Sequence, residues 1–114
     1  MGLFTSSETT QKREQILQYI SILNRSLRDI ANIIDKDGIN GSSINTINEI
    51  FKKGEENAER MSNIVRSMSD SQLDGFTVPW MDGKYIGIMM WIASYVGIIN
   101  KMVSKFESYA NNNL

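Results

Sequence analysis

The chain has 114 residues, with twelve Lys or Arg against thirteen Asp or Glu, a net charge of −1, no His and no Cys. That length makes one domain that buries a core without staples. The missing Cys excludes disulfides and thiolate chemistry, and the missing His removes the commonest general base and the imidazole metal ligand.

Balanced charge argues against nucleic acid, which requires unopposed cations to release counterions. Here Lys12, Arg13, Arg25 and Arg28 are matched by Glu8, Glu14, Asp29 and Asp35. Lys52, Lys53, Arg60 and Arg66 are matched by Glu49, Glu55, Glu56 and Glu59. The start holds no apolar stretch of a secretory signal. It does fit the short N-myristoylation pattern through Gly2 and Ser6, which has meaning only in a eukaryotic setting.

Residues 1–6 are expected as a tail. The first helix is expected to begin near Thr5–Glu8, which have capping-box spacing, with Ser6 or Ser7 as other caps. Its apolar seam is Ile16, Ile20, Leu23, Leu27, Ile30 and Ile34, spaced by alternating fours and threes. That spacing is one face of a helix. The helix should end at "DKDGINGSS", where Gly38 and Gly41 break it. This segment fails the calcium-loop pattern, having Ile39 and Asn40 where an acid or amide and a glycine are required, and no closing Glu.

The second helix is expected from Ser42 or Ser43. Its seam runs Ile44, Ile47, Phe51, Gly54, Ala58, Met61, Val65 and Met68. Gly54 and Ala58 are small at core positions, so a neighbour comes close there or a large residue fills the space. Glu55, Glu56 and Glu59 interleave with Lys52, Lys53 and Arg60. This reads as a solvated charged face rather than a metal or acid–base site.

Residues 69–83 break the helical period. They hold the one proline, Pro79, three acids (Asp70, Asp74 and Asp82) and the apolar Leu73, Phe76, Val78, Trp80 and Met81. A small hairpin about Asp82-Gly83 is one option. An ordered loop is preferred, because a lone hairpin is marginal.

The third helix is expected from Lys84 to Tyr109, with residues 111–114 frayed. Its core seam is Tyr85, Ile88, Ile92, Tyr95, Ile99, Met102, Phe106 and Tyr109. The sixteen residues between Lys84 and Lys101 are uncharged. Three readings compete for them: a membrane span near 85–100, a central core helix, and a helix shared between its own core and a second chain. A span needs about 20 apolar residues. This stretch is shorter and is interrupted by Gly87, Ser94, Gly97 and Asn100. The shared helix is preferred, because the apolar arc is wider than one core needs. The oligomer interface is placed at Trp91, Ile98, Met102, Met89 and Tyr95.

The expected architecture is therefore all-α: three long antiparallel helices in a heptad-patterned bundle, residues 1–114 as one domain, and a Pro/aromatic loop between the second and third helices. The expected function is a small non-enzymatic, cytoplasmic interaction protein of adaptor, inhibitor or immunity type, of a kind that suits bacteria or phage. It needs no cofactor and no metal, binds a protein partner and self-associates into a homo-oligomer. The partner surface is placed on the acidic aromatic loop, at Phe76, Trp80, Met81, Asp74 and Asp82. One alternative is an oligomeric sponge for a small anionic or nucleotide-like ligand, with Trp80 and Tyr85 stacking and Lys84 holding the anion. The other is membrane insertion.

Overall fold

A computed structural model describes the backbone of residues 2–113 and the side chains of 7–112. The expected helical bundle is present, with a very small sheet added to it. In chain order the elements are α1 (Gly2–Asp37), α2 (Gly41–Arg66), α3 (Asp70–Leu73), β1 (Thr77–Pro79), β2 (Tyr85–Gly87) and α4 (Ile88–Asn113).

The seam of α1 is buried as its spacing requires, at Ile16, Ile20, Leu23, Leu27 and Ile30. The helix starts at Gly2, so the expected tail and a start near Thr5–Ser7 give way to continuous helix. The myristoylation pattern, Gly2 to Ser6, lies in the part of α1 whose side chains fall outside the described residues. At the far end Gly38 takes φ 68° and its N–H donates to the Ile34 carbonyl at 2.8 Å, a left-handed helix stop.

Helix α2 starts one or two residues earlier than expected. Its cap is Asn40: Asn40 Oδ1 accepts from the Ser43 N–H and Ser43 Oγ accepts from the Asn40 N–H, both at 2.9 Å. The reciprocal pair satisfies two backbone donors at once, with Ser in the position usually held by Glu or Gln. Helices α1 and α2 then pack antiparallel along their seams. Where they meet, Gly54 is buried.

The segment preferred as a loop is instead a short helix and a hairpin. Strands β1 and β2 pair antiparallel, with Thr77 opposite Gly87, Val78 opposite Ile86 and Pro79 opposite Tyr85. A three-residue pair is marginal in water. This one survives because it is a roof: Phe76 and Val78 are buried in the core, and Asn24 Nδ2 donates to the Pro79 carbonyl at 2.7 Å. The turn is the one Asp82-Gly83 suggests. Asp82 Oδ1 accepts the Lys84 N–H at 2.9 Å, and Gly83 takes φ 88°.

Helix α4 consequently begins at Ile88, not Lys84, its N–H bound to the Phe76 carbonyl at 3.0 Å. It continues to Asn113, through most of the stretch expected to fray; Leu114 lies outside the described residues. It runs alongside α1 in the same direction and antiparallel to α2. Among the described residues no helix is long and apolar enough to cross a membrane. The stretch 85–100 begins as strand.

The molecule is long, 60 × 22 × 19 Å, with a radius of gyration of 16.5 Å. A compact chain of this length would have about 13 Å. The main core lies under the hairpin and draws on α1, α2, Phe76, Val78, Ile88, Trp91 and Tyr95. Among the described residues of α4, none beyond Tyr95 is fully buried.

Candidate functional site: an apolar groove between α2 and α4

Helix α4 carries two heptad seams side by side. One is Ile88, Trp91, Tyr95, Ile98, Met102 and Tyr109, and its first three residues are buried in the chain's own core. The other is Met89, Ile92, Val96, Ile99, Val103 and Phe106, again spaced by threes and fours. Met89, Val96 and Val103 are 57%, 48% and 46% exposed, and Ile92, Ile99 and Phe106 are half-buried. Ile92 and Ile99 also pack against the chain's own core, while the described residues leave Met89, Val96 and Val103 open.

Opposite it, α2 presents Asn48, Phe51, Glu55, Ala58 and Ser62, at the same spacing. The two walls enclose a groove of about 720 Å³, with Trp91 and Tyr95 at its floor. The small residues of α2 set its depth. A β-carbon added to Gly54 would stand 3.3 Å from the Tyr95 hydroxyl and 3.4 Å from Leu23 Cδ2. Tyr95 thus fills the space that the glycine leaves, as its core position suggested. Lys52, Glu55 and Glu59 form the polar rim. Burial, and secondarily the Glu55 carboxylate, hold the Tyr95 phenol above its ordinary pKa of 10.0.

A smaller groove of about 310 Å³ opens on the other flank of α4, lined by Leu27, Ile30, Ile34, Met81, Ile98 and Met102 among others. Both grooves are apolar. Among the described residues no group of three acids gathers to hold a metal ion.

The expected partner surface on the loop is mostly turned inward. Phe76 is buried, with the Arg13 guanidinium 4.9 Å over its ring. Arg13 clamps the loop further, donating to the Gln72 carbonyl at 3.2 and 2.8 Å and to the Asp74 carbonyl at 3.2 Å. Trp80 sets its edge on Trp91, centroids 5.8 Å apart at 72°. Met81 faces the smaller groove, and its carbonyl accepts from Arg28 at 3.2 Å. Only Asp74 and Asp82 remain exposed. The aromatic half of the expected tongue is a lid.

The expected interface residues divide in the same way. Trp91 is 0% exposed and Tyr95 is buried, the two rings stacked at 5.1 Å. Trp91 was expected on an open flank of the helix, which the hairpin and Asn24 of α1 occupy; Tyr95, also expected on the core seam, is buried as that seam requires. Ile98 and Met102 line the smaller groove, and Met89 is open. For the ligand alternative, Tyr85 is 68% exposed and Lys84 is exposed, whereas the Trp80 ring is committed to Trp91. The ring pair that would sandwich a flat ligand is not assembled.

Val96, Phe51, Glu55 and Ala58 line the groove without having been expected at an interface, and Ile92 and Ile99, expected on the core seam, both pack against the core and line the groove. No protein-family model, curated protein or solved structure matches this chain.

Proposed function

We propose that this protein is a small non-enzymatic interaction module whose α2–α4 groove is a protein-docking surface. It would act by occupying a surface, as an adaptor, inhibitor or immunity-type protein does, and work in the cytoplasm. The observation that supports this reading is the half-exposed second seam of α4 facing a wall of equal spacing on α2. An amphipathic helix presents apolar residues with that period, and helix-in-groove docking uses them as anchors. A soluble chain seldom leaves such a contiguous apolar face in water without a use for it.

The test is a pair of glutamates. Val96→Glu and Val103→Glu replace half-exposed side chains, so the fold should persist, with the melting temperature shifted by only a few degrees. Capture of a partner from source cells by the tagged protein should be lost in both and kept in Ser108→Glu, an exposed position well round α4 from the groove seam. Undiminished capture by both variants would remove the groove from the function.

A further inference from the structure

We infer that the groove receives a second copy of this chain, with the two α4 helices antiparallel about a two-fold axis between Gly97 and Ile98. This rests on the groove being the docking surface and names its occupant.

The second seam is complementary to itself in that one orientation. An antiparallel pair of heptad helices sets each first-position residue against a fourth-position residue of its mate. Centred between Gly97 and Ile98, Val96 meets the partner's Ile99, Ile92 meets the partner's Val103, and Met89 meets the partner's Phe106. All six seam positions are used in both copies, as an isologous interface requires. Helices α2 and α4 and their copies then close a four-helix core over both grooves.

Charge selects the same orientation. On α4 the charges Lys101, Lys105 and Glu107 lie in the C-terminal half, and residues 88–100 carry none. A parallel pair would bring both copies of Lys101 and of Lys105 to the same end. The antiparallel pair sets them at opposite ends, beside the uncharged half of the mate. The contact of Gly54 with Tyr95 fixes how α2 and α4 are aligned, and it places Phe51 and Lys52 at the level of the axis. Lys52 then stands on the same side of the axis region as the partner's Glu55, an exposed rim carboxylate of opposite charge. A net charge of −1 per chain leaves little repulsion between copies.

Surface area points the same way. The chain exposes 7577 Å². A monomer of 13.0 kDa is expected to expose about 6,300 Å². The excess, about 1,200 Å², exceeds the roughly 800 Å² that each partner gives to a standard interface.

The experiment uses the full chain, whose lack of cysteine removes background cross-linking. Sedimentation equilibrium should give twice the chain mass at micromolar concentration, and Val96→Glu should raise the dimer dissociation constant at least tenfold. For orientation, Ile92→Cys chains are mixed with Val103→Cys chains and oxidised. The mixed disulfide should dominate over both self-disulfides. Met89→Cys, at an exposed position, should not cross-link to itself, because the antiparallel pair separates its two copies by about 25 Å.

Efficient self-cross-linking of Met89→Cys would show a parallel pair and overturn the inference. A concentration-independent monomer would overturn it too, while leaving the groove open to a different protein. A dimer that Val96→Glu leaves intact would overturn it as well; the groove would then be judged by the capture test alone.

Discussion

The Trp91 indole N–H donates to Asn24 Oδ1 at 3.0 Å, between residues 67 positions apart in the chain. Asn24 is buried, and its amide N–H₂ donates in turn to the Pro79 carbonyl at 2.7 Å. One side chain of α1 thereby satisfies the largest buried ring of α4 and a carbonyl of the hairpin. Among the described residues no buried side-chain polar atom is left without a partner.

Asn24→Leu therefore strands the indole N–H and the Pro79 carbonyl together. Each unsatisfied buried group costs about 1–3 kcal/mol, so the variant should lose about 2–6 kcal/mol in denaturant unfolding. Asn24→Asp keeps the acceptor for Trp91 but sets a carboxylate against the carbonyl oxygen, which raises the folded-state pKa of that Asp. Its deficit should be small at acidic pH, where the protonated acid donates, and should grow as pH rises toward neutrality. A variant equally stable at both pH values would sink this account of the site.

Gly54 and Tyr95 make a second pair with a definite sign. Gly54→Ala gains helix propensity of about 1 kcal/mol but must push back the Tyr95 hydroxyl, 3.3 Å from the new carbon. The two effects should nearly cancel in the wild-type background. With Tyr95→Phe the obstructing oxygen is gone, and Gly54→Ala should then stabilise by about 1 kcal/mol. The coupling between the two substitutions in a double-mutant cycle is the quantity to measure. Additive effects would show that the contact does not matter.

Tyr95 also predicts a pH dependence. Its folded-state pKa is raised above 10.0, by burial first and by Glu55 second. The unfolded phenol loses its proton first as pH rises, so stability is constant below about pH 10 on this account and falls above it until the folded phenol ionises. Tyr95→Phe should lessen the alkaline decline relative to wild type. Identical slopes above pH 10 in the two proteins would contradict the direction of the shift.

The hairpin should behave as a lid. Phe76→Ala should cost about 3–5 kcal/mol, the usual loss for a buried ring. Arg13→Lys should recover little of what Arg13→Ala loses, because one ammonium cannot reproduce the fork that holds two carbonyls and covers the ring. Asp74→Lys and Asp82→Lys, both exposed, should leave a thermal melt within a few degrees of wild type. Large destabilisation by Asp74→Lys would mean that its carboxylate, and not only its backbone carbonyl, holds the loop.

The three long helices, the buried seam of α1, the break at Gly38 and the need for a close neighbour or a large filler at Gly54 were legible in the sequence by itself, because heptad spacing and glycine are local signals. Periodicity assigns a residue an angle on its helix, and for Ile16 through Ile30 one neighbour satisfies that angle. It does not say which neighbour covers a given angle when a helix is apolar over a wide arc. Trp91 and Val96 both lie on the apolar side of α4. Only the tertiary structure decided that the hairpin and Asn24 cover the first and that the second stays about half exposed among the described residues. The hairpin was legible only as an option at Asp82-Gly83: three-residue strands carry no period, and the free energy that holds them comes from Val78, Phe76 and Asn24 meeting across the chain.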